Sequence, residues 1–238
     1  MSELNDIYGK ALLDFQNKNY TEDIKTFSSI AGEDVYPLPY LFRSFKEMPK
    51  IEQKALQLSK GKILDIGCGA GSHSLHLQKT NKSILSIDIS KGAIETCKLR
   101  GLKNAKVQDI WALKNKQFDT ILLLMNGAGL CGKLNKLTDF LLHLKTLLSP
   151  NGQILLDSSD VIYMFEDDDG NHIIDANTDY YGETTFKMSY KKNEGNIFNW
   201  LFIDFNNLQR AALFCDLQCE LIFEGNHYDY LAKISFSK

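Results

Sequence analysis

Apolar residues recur along this chain with two periods, one helical and one strand-like. In the first fifty residues Leu4, Ile7, Tyr8, Ala11, Leu12 and Phe15 fall on one helical face. The aromatic stretch VYPLPYLFRSF at 35–45 is then broken by Pro37 and Pro39, so residues 1–50 read as a helical leader of one or two helices and a loop. A helix over 51–58 opens a regular alternation. KILDI (62–66), SILSID (83–88), AKVQD (105–109), FDTILLLM (118–125) and QILLD (153–157) are short apolar runs. They are separated by helical segments at 72–78, 90–100 and 134–148, the second with Ser90 placed to cap it. Strands alternating with helices imply right-handed βαβ units and a doubly wound, mostly parallel α/β sheet. The pattern then changes. Residues 158–182 are polar and irregular, and an inserted β-hairpin is expected at about 183–204. A helix over 205–216 and strands at 219–223 and 230–236 close the chain, giving one domain over 51–238 behind its leader.

Composition narrows the partners. The formal net charge is −3 and no long basic run exists, which argues against a nucleic-acid substrate. The five cysteines include no CxxC pair, the pattern of reduced thiols in a cytoplasmic protein. The first ten residues, MSELNDIYGK, do not form a secretory signal, and no apolar run approaches the ~20 residues of a membrane span. A small-molecule partner and a monomer or homodimer are the expectation.

The chemistry concentrates at Asp65-Ile66-Gly67-Cys68-Gly69-Ala70-Gly71-Ser72, where the first strand passes into a helix. Glycines there permit a tight turn and close approach of a ligand to the backbone. Asp88, about 20 residues beyond Gly67 at the end of the next strand, stands where an acid accepts hydrogen bonds from both ribose hydroxyls. A dinucleotide site wants G-x-G-x-x-G, with its third glycine at the position of Ser72, which weakens an NAD-dependent oxidoreductase reading. Cys68 has no base at a defined spacing to activate it and reads as a small residue filling the turn.

The run D-x-G-x-G-x-G after the first strand resembles the first motif of class I, Rossmann-like S-adenosylmethionine-dependent methyltransferases, and the similarity extends from about Gly61 to Asp157. The resemblance implies a seven-stranded sheet with its last strand antiparallel, and S-adenosyl-L-methionine as cofactor. It implies that Gly67, Gly69 and Gly71 pack against the methionyl part, whose amino group Asp65 takes, and that Ile89 packs on the adenine. Asp109 would accept from the adenine amino group, with the Ile110 amide facing a ring nitrogen. A leader folded over the cofactor would let Arg43 pair with the methionyl carboxylate through its planar fork. A non-catalytic cofactor-binding protein on the same fold is the alternative from another class.

In open parallel sheets ligands lie beyond the carboxyl ends of the strands. The acceptor candidates are therefore Asn126 in the glycine-containing segment after the fourth strand, Asp157 and Asp160 after the fifth, and His227 as a base near neutral pH. Tyr36, Tyr40, Tyr163 and Tyr228 can line a pocket. Methyl transfer to an O, N or C acceptor needs a base only where the acceptor must lose a proton. The acidic run at 166–171 lacks the first aspartate of a calcium loop, and His73 and His76 lack a third ligand for a metal. Phe198, Trp200 and Phe202 alternate, so one face of the hairpin is core or a dimer contact.

Overall fold

A computed structural model of the chain describes residues 6–80, 82–174 and 179–237; Leu4 of the leader stripe lies outside them. Seven strands form the main sheet: β3 (Lys62–Ile66), β4 (Ser83–Asp88), β5 (Ala105–Val107), β6 (Phe118–Leu123), β7 (Leu148–Ser159), β11 (Leu217–Glu224) and β12 (Asp229–Phe236). Their order is β11-β12-β7-β6-β3-β4-β5. The five strands from β7 to β5 run parallel, and β12 runs antiparallel to both β7 and β11. The central strands are continuous apolar runs because both sheet faces are covered: Ile121, Leu122 and Leu123 of β6, like Ile63 and Leu64 of β3, have no exposed surface.

Helices α3 (Lys50–Leu58), α4 (Ser72–Lys79), α5 (Lys91–Leu99), α6 (Leu134–Thr146) and α7 (Phe205–Phe214) cover the sheet. Ser90 caps α5, its side chain accepting from the Ala93 amide, and Asp204 caps α7 in the same way through Asn207. On α6 the buried residues Leu137, Phe140, Leu141 and Leu144 follow helical spacing.

The leader departs from the helical expectation. After α1 (Ile7–Gln16) the chain forms β1 (Ile24–Ser28) and β2 (Gly32–Tyr36) before the short helix α2 (Leu38–Leu41). These strands join the expected hairpin, β8 (Glu183–Tyr190), β9 (Asn193–Glu194) and β10 (Phe198–Leu201), in a second antiparallel sheet of order β10-β8-β1-β2. The physical reason lies in pairing: β2 is largely exposed and carries no apolar alternation, so its backbone hydrogen bonds to β1 hold it as a strand. The insertion is thus completed by a segment about 160 residues earlier in the chain.

Helix α1 docks on α5 through two glycines. A Cβ on Gly92 would stand 2.5 Å from the Gly9 carbonyl carbon, so only glycine allows this crossing. Asp6 fastens the same end, its Oδ2 accepting from the Ser90 hydroxyl and the Gly92 amide.

Candidate functional site

The segment joining β3 to α4 turns through three left-handed residues, Gly67 (φ 70°), Gly69 (φ 53°) and Gly71 (φ 81°). Nothing comes nearer than 3.6 Å to where a Cβ on Gly67 would stand, but one on Gly69 would meet the Tyr8 hydroxyl at 2.6 Å. Tyr8 of α1 therefore leans on the turn beside Asp88. Asp88 fastens the turn: its Oδ2 accepts from the Gly69 amide (3.0 Å) and its Oδ1 from the Ser90 amide (2.9 Å). Burial pushes its carboxyl up, and these two donors oppose the shift. Each oxygen keeps a second lone pair for another donor.

Asp65 lies beneath the turn, 2% exposed, with its Oδ2 accepting from the Ser74 hydroxyl at 2.5 Å; burial raises its carboxyl against the His73 charge and that bond. Ile89 is 54% exposed, an apolar side chain just past Asp88 in the sequence. Asp109, beyond the neighbouring strand β5, is exposed, with Oδ1 accepting from the Trp111 amide, and it caps a 3-10 turn whose first residue is the buried Ile110. Cys68 and Cys97 bring their sulfurs to 3.9 Å behind the turn, and this contact together with burial pushes the Cys68 thiol well up, as suits an unreactive filler.

A cavity of about 300 Å³ opens beyond the carboxyl ends of β6 and β7. Tyr36 and Tyr40 of the leader, Glu52 of α3, Met125 and Asn126 after β6, Asp157, Ser158 and Ser159 of β7, and Asp229 of β12 line it. Met125 and Asn126 both adopt left-handed φ, 63° and 59°, a strained pair of non-glycine residues. Asp157 holds them: its Oδ2 accepts from the Met125 amide at 3.1 Å and its Oδ1 from the Asn126 amide at 2.8 Å. Asn126 Oδ1 in turn accepts from the Ser158 hydroxyl. Burial pushes the Asp157 carboxyl up to about 7, helped by the charge of Glu52 and opposed by the two amides and His73.

Behind the cavity is a buried ionic cluster that sequence spacing did not disclose. The Arg43 guanidinium donates to both Glu52 oxygens, stacks 3.8 Å over the Tyr40 ring and touches the Met125 sulfur at 3.4 Å. His73 Nε2 sits 2.6 Å from the other side of Glu52. Burial raises the Glu52 carboxyl, but the His73 bond and the Arg43 charge outweigh it and hold it below the usual range. The fork of Arg43, expected to meet a carboxylate of the cofactor, is thus engaged by one of the chain's own. His73 is a partner of that cluster, and His76 stacks on Phe45.

The structure brings Tyr36, Tyr40, Asn126 and Asp157 together and leaves four other acceptor candidates off the cavity wall. Asp160 caps a turn, its Oδ1 accepting from the Ile162 amide and the Tyr181 hydroxyl. His227 is exposed, with its backbone amide directed at Asp229. Tyr163 and Tyr228 stack on each other with ring centres 5.3 Å apart. The glycines after β6 serve packing, since a Cβ on Gly129 would lie 2.0 Å from the Trp200 ring; the hairpin, not a ligand, makes that approach. In the acidic loop Asp167 Oδ1 accepts from the Asp169 and Asn171 amides, and no cluster able to hold a metal occurs among the described residues. Tyr8, Glu52 and Asp229 were missed because each reaches its site from an element remote in sequence. Their only sequence signal is placement on a helical stripe or beside a strand end.

A left-handed glycine turn, an acid at the end of the second parallel strand and an exposed apolar residue beyond it stand together at the carboxyl edge of a Rossmann-like sheet, the edge at which such sheets bind ligands. The chain belongs to the methyltransferase-domain family, which it matches over residues 57–203, and it is an S-adenosylmethionine-dependent methyltransferase. It is similar, at 42% identity and TM-score 0.93 over 100% of its own length and 98% of the other chain, to a S-adenosylmethionine-dependent methyltransferase from Bacteroides fragilis solved with S-adenosyl-L-homocysteine. It is 32% identical over 151 residues to the ubiquinone biosynthesis O-methyltransferase of Pelagibacter ubique, spanning 55% of this chain and 61% of that protein's length. The CcbJ methyltransferase of Streptomyces caelestis shares the fold at 11% identity and TM-score 0.63, with 98% of both chains covered. The cofactor is S-adenosyl-L-methionine, and membership of this family sets the dehydrogenase alternative aside. Among the described residues, no helix is long and apolar enough to cross a membrane.

Proposed function

We propose that the chain transfers a methyl group to a small-molecule acceptor seated in the cavity walled by Tyr36, Tyr40, Asn126 and Asp157. The observation that carries this reading is the position of that cavity beyond the ends of β6 and β7, adjacent in the sheet to β3, β4 and their nucleoside-binding features. In this reading Asp88 holds the ribose hydroxyls, Ile89 packs on the adenine, and Asp109 with the Ile110 amide meets its edge. Gly67, Gly69 and Gly71 leave room for the methionyl part, with Asp65 on the side of its amino group. S-adenosylmethionine supplies an electrophilic methyl on a sulfonium. The chain's contribution is alignment, because in-line displacement gains most from holding the reacting atoms in line and excluding water. The strained Met125-Asn126 pair, clamped by Asp157, fixes the floor of that alignment. Residues 1–50 act as the lid, with Tyr8 over the turn and Tyr36 and Tyr40 over the cavity. Five free, buried cysteines support a reducing, cytoplasmic location.

Isothermal titration with S-adenosyl-L-homocysteine and turnover of S-adenosylmethionine against a metabolite panel test the reading. Binding with acceptor-dependent release of S-adenosylhomocysteine is expected. Binding without turnover on any acceptor would favour the non-catalytic alternative, and absence of binding would overturn the assignment of the site.

A further inference from the structure

Resting on that reading of the cavity, we propose that the acceptor is an amine, held as its ammonium between Asp157 and Asp229 and discharged by Asp157 before it is methylated. The charge inside the cavity argues for it. Three carboxylates line it, Glu52, Asp157 and Asp229, and among the described residues no lysine, arginine or histidine does. Glu52 is matched within the chain by Arg43 and His73. Asp157, 7% exposed, receives only the neutral amides of Met125 and Asn126, and Asp229 Oδ1 receives the His227 amide. Two acidic side chains therefore line the space, and among the described residues no lysine or arginine bonds to either, while His73, whose charge reaches Asp157, is bonded to Glu52. An anionic acceptor or a phenolate would meet like charge, whereas an ammonium compensates it.

The chemistry agrees with the charge. A nitrogen nucleophile attacks through its lone pair, so an ammonium must first give up one proton. The Asp157 carboxylate takes that proton, the nitrogen–carbon bond forms as the carbon–sulfur bond breaks, and the electron pair stays on sulfur, leaving a thioether. Asp157, pushed up to about 7 and faced by Glu52 of α3, His73 of α4 and Tyr40 of the leader, is a base matched to an ammonium. An aliphatic alcohol needs a far stronger base, and the cavity offers none.

The test uses the full chain saturated with S-adenosyl-L-homocysteine. Matched amine and alcohol pairs (glucosamine and glucose, 2-phenylethylamine and 2-phenylethanol, and an aliphatic series sized to the cavity) are compared by thermal shift and calorimetry. Amines are expected to bind at least tenfold tighter than their alcohols. Asp229→Asn is expected to erase most of that preference while S-adenosylhomocysteine affinity persists. Asp157→Asn should erase the preference and lower turnover of a methylated amine at least a hundredfold; if that variant does not fold, Asp229→Asn carries the test. No amine preference anywhere in the series, or one that Asp229→Asn leaves intact, overturns the proposal. Failure of the wild-type chain to bind S-adenosylhomocysteine is a separate result that sinks the methyl-donor site itself.

Discussion

Single carboxylates decide most of what happens at this site, and each does so through its partners. Asp88 ties the glycine turn through the Gly69 amide, and in the proposed reading it also holds the ribose. Its replacement by alanine should weaken S-adenosylhomocysteine binding by about 1–3 kcal/mol, the scale of a lost buried hydrogen-bonding partner; unchanged affinity by calorimetry would show that ribose is held elsewhere. Arg43→Met leaves Glu52 buried with only His73, and removing one partner of a buried pair costs about 3–5 kcal/mol. Urea titration should show that loss, and Glu52→Gln added to it should restore part of the stability. Asp157 gives a pH signature. Its carboxyl is raised in the fold from an ordinary 3.8 to about 7, so the folded state binds the proton more tightly than the unfolded one. Its contribution to stability is full below about pH 4, declines as pH rises to about 7 and is constant above. The difference in unfolding free energy between the wild-type chain and Asp157→Asn should trace that decline; a flat difference across pH 4–7 would mean that the carboxyl is not raised.

Between elements, the decisive contacts are close approaches that only small residues permit. The crossing of α1 over α5 rests on Gly9 and Gly92 in backbone contact, and that crossing sets Tyr8 above the turn. Gly92→Ala should push α1 off its seat. Overpacking of this kind costs about 1–3 kcal/mol, read as a lower melting temperature, faster proteolysis within residues 6–20 and weaker S-adenosylhomocysteine binding. Protection equal to wild type would mean that α1 accommodates a methyl group. Trp200 against Gly129 does the same for the hairpin, joining the second sheet to the segment after β6. The turn thus packs against α1 and the segment after β6 packs against β10.

For the whole molecule, the second sheet is the part that local pattern least prepares one for. It pairs β1 of the leader with β8, and a chain lacking residues 1–36 would expose β8 as an unpaired edge. That truncation should self-associate in size-exclusion chromatography and lose the Tyr36 wall of the cavity; a monomeric truncation with normal acceptor binding would contradict this role for the leader. By itself the sequence determined the parallel sheet, because buried strands and amphipathic helices carry periods of their own. It also determined the glycine turn with Asp65 and Asp88, because those residues lie within one βαβ unit and act through local spacing. Only the tertiary structure decided the second sheet, the Arg43–Glu52–His73 cluster, the place of Tyr8 and the joining of Asp157 to Met125-Asn126. It likewise kept Asp160, His227, Tyr163 and Tyr228 off the cavity wall. In each case the partners come from elements far apart along the chain, and strand pairing and buried charge pairing obey distance in space, which sequence separation does not encode.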